Sequence, residues 1–584
     1  MALSDYLLTD DLTILLALIS ATVFLLNNLY KPQPLLHPIL LGRQSDVGRA
    51  RNPGESAVYR NYGTGLMGRV CLPSFLFILS FLLKYLQFPL RPAKDVHILS
   101  DFVRPEIETP RTLWSTKLTN SHLQDRAAAF ATGLLRLGRV QPQKSNVLLL
   151  LNDCLEFIVA DLALASHSIN SITLSSSKLL APVLEAHPPS AIITHAFLLP
   201  QLLELIYDSS ERTTEHIIIV VGDPSSQTMA SVASNVKLFK FGELEREGFK
   251  VEKVLSPAPK PTDIFTVSFY ETKSGQIQGA QLTHENLTAG VAAIRALFPL
   301  ANALSALDTI VSSHSISAAY GRAIVYTAIY EGTNFASIPS SELYHAEEGG
   351  IKPENAETAA TRKYPIPSPT VLFLKPAHLS SIVSGILQAA KKSWFLYSFA
   401  WRHKLAGVTD GFITNQSLWD RLVFDGARAK TLGNGAATIR EVIVSGGDIE
   451  SEMLTPARIA LSVPLVNAFT HPLVAAPVLA SNPLDLQDIP SPRHKDGAII
   501  IAHTGPPGVN VEVKLIGVDD DVVENGGDPV GDLLVRGPPV GKMVNMEDYV
   551  DVPTGIEVES ENDGWMQTEV KAKVQTNGSF QLCT

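Results

Sequence analysis

FTVSFYETKSGQIQGAQLTHEN spans residues 265–286 and changes character twice within that length. Phe265 to Tyr270 is an apolar, β-branched and aromatic run, which predicts a strand. Glu271 to Gly279 has no period and predicts a loop, and Thr283 opens an apolar-periodic segment that predicts a helix. A loop in that setting cradles phosphate when Gly, Ser and Thr leave backbone N–H groups bare and a lysine adds positive charge. Lys273, Ser274, Gly275, Gly279 and Thr283 are the candidates. A surface turn with no ligand is the plain alternative, and the other segments have to decide.

The chain has 584 residues, more than one core of ordinary size holds, so two or more subdomains are expected. Net charge is −11, and no basic stripe with interleaved aromatics is visible, which argues against nucleic acid as a partner. Three widely separated cysteines, Cys71, Cys154 and Cys583, exclude a disulfide framework and a cysteine-rich zinc site. His345 with Glu347 and Glu348 sits in Gly-rich polar sequence and reads as a solvated loop rather than a metal site.

Leu12 to Leu26 is apolar apart from Thr13, Ser20 and Thr22, and Leu29 and Tyr30 extend it towards the length a membrane helix needs. Acidic residues precede it and Lys31, Arg43, Arg49 and Arg51 follow, so the expectation is a span with the later chain in the cytosol. A buried helix of a soluble domain is the alternative. A second apolar run, Cys71 to Leu90, is interrupted by Pro73 and Lys84 and reads as interfacial, with a second span left open. From about Thr112 strand and helix patterns alternate: Leu123 to Leu137 helix, Asn146 to Leu151 strand, Glu156 to Ser166 helix. Strands at Ser171 to Leu174, Ala191 to Thr194 and His216 to Val221 follow, with a helix Leu198 to Ile206 between the last two. That alternation predicts parallel sheets covered by helices.

Five further segments carry a resemblance: Asn152-Asp-Cys-Leu-Glu-Phe157, Gly411-Phe-Ile-Thr-Asn-Gln-Ser-Leu-Trp-Asp-Arg-Leu-Val-Phe424, Val444-Ser-Gly-Gly-Asp448, Gly531-Asp-Leu-Leu-Val-Arg-Gly-Pro538 and Gly564-Trp-Met-Gln-Thr-Glu-Val570. With the loop at 271–286 they fall in the order found in adenylate-forming enzymes, and the Ser417-Leu-Trp-Asp-Arg-Leu segment resembles the long-chain fatty acyl-CoA synthetase branch. Leu418, Trp419 and Leu422 there read as the core face of a helix. Such enzymes join a fatty carboxylate to AMP and then exchange AMP for coenzyme A, so the resemblance implies ATP, magnesium and coenzyme A.

The same alignment exposes losses. The loop lysine of the family falls on Gln278, and Glu271 puts a carboxylate where phosphate would approach. The metal-binding motif falls on Phe469-Thr-His-Pro-Leu473, so its glutamate becomes Leu473, which cannot ligate magnesium. A histidine falls on Ala318 and a glutamate on Gly321, with Arg322 kept and His314 four residues away. The ribose aspartate falls on Val570, beside Thr568 and Glu569. The resemblance also implies a C-terminal lid of ~100 residues, which closes over such sites and would begin where this sequence stops.

The expected architecture is therefore α/β: an N-terminal membrane helix (1–30), a linker with the second apolar run (31–111), and an adenylate-forming large domain made of two βαβ subdomains (112–430) and a remainder with a small β-subdomain (431–584). No catalytic position is intact, since Gln278, Leu473, Val570 and Ala318 are substituted. Lys273, Ser274, Gly275, Gly279, Thr283, Gly446, Gly447, Phe469 and Thr568 are the remnant of a nucleotide site, and no metal ligand set remains. The expected function is a long-chain acyl-CoA-synthetase-like protein that binds a fatty acid or acyl-CoA, or serves as a scaffold, on the endoplasmic reticulum or peroxisomal membrane. The alternative is a working ligase in which Lys273, Glu569 or His471 compensates.

Overall fold

The structure is a computed structural model that describes residues 11–29, 35–48, 50–64, 91–208, 216–254, 256–345, 364–487, 500–547 and 564–583. The expected second apolar segment, 71–90, lies outside the described residues.

Two eight-stranded sheets and one of seven strands organise the chain. In the first, the strands Ile264–Glu271, Asn170–Leu174, Asn146–Leu150, Ala191–His195, His216–Val221 and Val236–Lys240 run parallel in that spatial order. The second has a parallel core of Leu465–Phe469, Glu441–Val444, Val371–Leu374, Thr309–Ser312, Asn334–Ser337 and Arg111–Leu113. The third is antiparallel, built mainly from the last part of the chain, with short strands at Asp46–Val47 and Tyr59–Arg60 completing one edge.

The two parallel sheets share one core. Val147, Leu149 and Ile193 of the first and Ile310, Phe335 and Phe373 of the second belong to a single apolar cluster with the helices Leu155–Ala165 and Ala319–Glu331. Both helices are apolar around nearly their whole circumference, as a helix packed between two layers must be. Every residue from Ala319 to Tyr330 is buried. Arg322 lies among them with its Nε donating to the Ile316 carbonyl and 3.7 Å from Asp161. The arginine retained from the family motif is thus a fully buried core residue.

The 265–286 stretch departs from the expected strand, loop and helix. Ile277–Thr283 is a second strand, paired antiparallel with Ile264–Glu271, so the loop is a hairpin turn confined to Thr272–Gln276. Ile-Gln-Gly-Ala-Gln-Leu-Thr lacks the β-branched enrichment that marks a strand in sequence; its pairing is imposed by neighbours on both sides, since Lys542–Asn545 lies along its outer edge.

The expected membrane span is the helix Asp11–Leu29. Among the described residues no helix is long and apolar enough to cross a membrane. Its apolar run, Leu12 to Leu26, lies between Asp11 and Asn27 and is about 22 Å long against a hydrocarbon core of about 30 Å. Leu12, Leu15, Leu18 and Phe24 are all more than half exposed.

Candidate nucleotide site

The segments that would grip a nucleotide do converge. Tyr270 and Ala280 of the hairpin, Leu473 from the loop after Leu465–Phe469, and Met566 at the start of the strand Met566–Val574 form one small apolar cluster. The Tyr270 and His471 rings meet edge to face at 6.2 Å. Burial pushes the His471 imidazole down to about 4, with the nearby Lys273 ammonium adding to the shift. Burial also raises the Tyr270 phenol, helped by the Glu569 carboxylate.

Most remnant positions have a job within the fold. Thr272 N–H donates to the Gln276 carbonyl at 2.8 Å and Gly275 N–H to the Thr272 carbonyl at 3.0 Å, while the Thr272 hydroxyl bonds Ser274 Oγ and accepts from Gln276 N–H. The turn therefore closes on itself. Gly275, at φ +81°, supplies the left-handed residue it needs. Lys273 and Ser274 are exposed at its tip. Gln278 faces Tyr270 across the hairpin, and its Oε1 accepts from the phenol at 2.9 Å. Gly279 pairs with Phe269, and a Cβ there would stand 3.0 Å from Val267 Cγ1 and 3.1 Å from the Phe269 ring. That glycine makes room for its neighbours' side chains.

Thr283 caps the helix His284–Arg295 in a reciprocal box with Asn286, whose Nδ2 also donates to the carbonyls of Pro538 and Val540. The half of the motif that matches the family best is thus its scaffold. Leu473 is 1% exposed; its N–H donates to His471 Nδ1 and its carbonyl accepts from Gly541 N–H. Phe469 is half-buried at the end of its strand and its carbonyl accepts from Val478 N–H. Thr568 Oγ1 donates to the Leu533 carbonyl, and Val570 is buried in the core of the third sheet. Between them Glu569 sits at φ +55° in an irregularity of that strand. Ala318 precedes the helix Ala319–Glu331 and offers no side-chain cap.

Magnesium and the nucleotide do not fit these residues. The position of the metal carboxylate is an apolar side chain within an apolar cluster, and the N–H groups of Thr272, Gly275 and Gln276 are bonded within the turn. Among the described residues no group of three or more His, Cys, Asp or Glu is gathered to hold a metal.

A second crevice, of which sequence reasoning named Gly446, Gly447 and His314 but not the role of Lys375, lies at the carboxyl ends of the parallel strands. In the first sheet the chain passes from Asn146–Leu150 to Asn170–Leu174 on one side and then to Ala191–His195 on the other; in the second, Thr309–Ser312 is flanked in the same way by Asn334–Ser337 and Val371–Leu374. Ligands of open α/β sheets bind at such reversals. Asp153 extends from one reversal, accepting from Ile316 N–H at 3.0 Å and Ser315 Oγ at 3.1 Å, and so joins it to the other. His314 Nε2 bonds Ser445 Oγ at 2.9 Å. Gly446, at φ +77°, keeps His314 Cε1 3.1 Å and Lys375 Cγ 3.8 Å from where its Cβ would be, and Gly447 rests on Pro376.

Burial drives the electrostatics of this crevice. The His314 imidazole is pushed down to about 3, with Lys375 and His378 acting in the same sense. The Asp153 carboxyl is pushed up to about 6 against the bonds it accepts from Ile316, Ser337 and Ser315. Lys375 is lowered by desolvation and raised by Asp153, yet it is open to solvent along part of its length. A lysine directly following an apolar strand and preceding Pro376 was the available sequence signal.

The profile of the family described as AMP-binding enzyme matches residues 108–544. A peroxisomal long chain acyl-CoA synthetase 7 of Arabidopsis thaliana is 25% identical over 439 residues, covering 71% of this chain and 54% of that protein. A mouse long-chain-fatty-acid–CoA ligase 5 is 22% identical over 478 residues, covering 80% and 63%. The chain therefore spans between about half and two thirds of the length of these relatives. Among solved structures, the anthranilate CoA ligase AuaEII in complex with anthranoyl-AMP superposes with a TM-score of 0.57 at 14% identity, covering 83% of this chain and 77% of that one. A long-chain-fatty-acid-CoA ligase from Archaeoglobus fulgidus gives 0.55 at 13%, covering 84% and 85%. These structures share the fold. With the sheets, the converging motifs and the matched profile together, the chain belongs to the AMP-binding enzyme family and is long-chain acyl-CoA-synthetase-like.

Proposed function

We infer that this protein binds a long-chain acyl group without activating it: an acyl-CoA-synthetase-like fold whose nucleotide site has been closed by its own side chains. The observation that carries the reading is the contact set of Gln278, Tyr270 and Leu473. An amide bonded to a phenol and a leucine buried against it stand where phosphate charge and magnesium would have to be met. Loss of one preorganised electrostatic donor typically costs ~3–4 kcal/mol of transition-state stabilisation, and here the cation and the metal carboxylate are replaced together.

Two findings support a retained acyl ligand. The relatives are named as a long chain acyl-CoA synthetase and a long-chain-fatty-acid–CoA ligase. The crevice at the two strand reversals also keeps an accessible cation, Lys375, beside His314, which suits a carboxylate. Lys273 near His471 and Glu569 near Tyr270 favour the second reading, a ligase with displaced phosphate and metal groups.

One experiment separates them. The purified chain is assayed for fatty-acid-dependent exchange of pyrophosphate into ATP with magnesium, and separately for binding of a labelled long-chain fatty acid. Binding without exchange, with affinity lowered by Lys375→Ala, is the expected result. Exchange that disappears in Lys273→Ala would establish the ligase.

A further inference from the structure

The helix Trp394–Thr409 presents its large side chains outwards. Trp394 is 77% exposed, Phe395 60% and Phe399 47%. Its inner face is narrow: Ala400, Lys404 and Val408 are buried, and Tyr397 and Trp401 pack partly against the same core. The neighbouring segment extends the outer surface. Leu418 is 65% and Leu422 52% exposed, and Trp419 stacks on Phe399 with ring centroids 6.3 Å apart. Scattered single apolar residues on a surface are ordinary, but a contiguous cluster of three aromatics and two leucines marks an interaction site.

Its rim is basic. Lys391 and Lys392 precede the helix, Arg402 and His403 lie on its outer side, and Arg421 and Lys430 follow; all are exposed. Among the described residues Lys391, Lys392, Arg402, Arg421 and Lys430 form no ion pair with a carboxylate. Lys430 stands close enough to Lys392 for each to repel the other's charge. From Lys391 to Thr409 there is no acidic residue, in a chain of net charge −11. Aromatic side chains ringed by bases match the chemistry of an anionic lipid surface, where rings enter the headgroup layer and ammonium and guanidinium groups meet phosphate.

A backbone bond ties the chain near a second apolar element to the end of the aromatic helix. Leu35 N–H donates to the Gly411 carbonyl at 3.0 Å, just past the end of the aromatic helix. That bond ties down the chain shortly after the exposed helix Asp11–Leu29, whose end therefore lies within about 20 Å of it.

We propose that the surface formed by Trp394, Phe395, Phe399, Leu418 and Leu422, with its rim of Lys391, Lys392 and Lys430, docks the protein flat on an anionic bilayer. It stands apart from the nucleotide site and does not rest on the reading given above for that site.

The test is flotation of the full chain with vesicles of phosphatidylcholine alone and mixed with phosphatidylserine. Wild type should float with the mixed vesicles, less with the neutral ones, and release at high salt. Trp394→Ala with Phe395→Ala should weaken binding by about tenfold or more, and Lys391→Glu with Lys392→Glu should abolish the preference for phosphatidylserine, with melting temperatures unchanged because all four residues are exposed. Brominated acyl chains should quench wild-type tryptophan fluorescence by a component that Trp394→Phe removes. Vesicle binding identical in wild type and both double variants overturns the proposal, as does a dimer in light scattering that Trp394→Ala with Phe395→Ala dissolves while vesicle binding persists.

Discussion

Leu473 and Glu569 illustrate how far a family position can drift while the backbone around it stays put. Because Leu473 is packed against Tyr270, Ala280 and Met566, putting back the family's glutamate places a charge among apolar groups. Leu473→Glu should lower stability by about 2–4 kcal/mol, read as a reduced midpoint in urea unfolding. Glu569 poses the opposite case. A non-glycine residue in the left-handed region costs ~1–2 kcal/mol, and glycine returns part of that through its freer unfolded chain. Glu569→Gly should therefore raise stability by up to about 1 kcal/mol, and Glu569→Val should lower it; calorimetry of the three proteins distinguishes the cases. The sequence identified these substitutions but could not say what they had become. Leu473 reads as a lost ligand in either setting, and only the surrounding apolar side chains mark it as a plug. His314, four residues off register in the alignment, stands in the crevice because position along a strand end, not spacing to a helix, places it there.

At the scale of the element, the strands expected at 146–151, 171–174, 191–194 and 216–221 correspond to Asn146–Leu150, Asn170–Leu174, Ala191–His195 and His216–Val221. Continuous apolar runs between helices leave little choice. The misreading came at Ser417 to Phe424, where Leu418 and Leu422 were expected in the core. Asp420–Phe424 is a π-helical turn, and its longer repeat turns Asp420, Val423 and Phe424 inwards instead. Asp420 is fully buried between Lys404 and Arg428, each 2.8 Å away. That pairing fixes the aromatic helix to the helix Asp425–Leu432, so Asp420→Asn should cost about 3 kcal/mol or more by leaving Lys404 buried without an anion and Arg428 with Asp425 alone. Hydrogen exchange in the aromatic helix should accelerate well beyond that in the rest of the chain. Thr283→Ala removes a cap far from any ligand and should cost about 1 kcal/mol, measurable as a shift in melting temperature with fatty acid binding unchanged.

For the molecule as a whole, buried titratable groups set an optimum of pH. His314, His284 and His471 are lowered by burial to about 3, 4 and 4 from 6.5. Below pH 6.5 the unfolded chain takes up protons that the folded one refuses, so these groups remove stability as pH falls. Asp153 and Glu441 are raised by burial to about 6 and 8 from 3.8 and 4.5. Their unfolded forms lose protons first, so they remove stability as pH rises through those windows. Between pH 4.5 and 6.5 three histidines outweigh two acids, and above about pH 7 Glu441 dominates. The melting temperature should peak between about pH 6.5 and 7, and Glu441→Gln should flatten the decline from there to pH 8.

The strand Lys542–Asn545 completes the first sheet by pairing with Ile277–Thr283, roughly 260 residues earlier in the chain. A ribosome adding 5–20 residues each second reaches that partner only after roughly 10–50 s. During that interval the nascent hairpin exposes an unpaired edge, and its neutral Gln-Gly-Ala-Gln run offers no charge to repel another such edge. Cells making this protein should therefore need a chaperone to shield the hairpin until the late strand emerges.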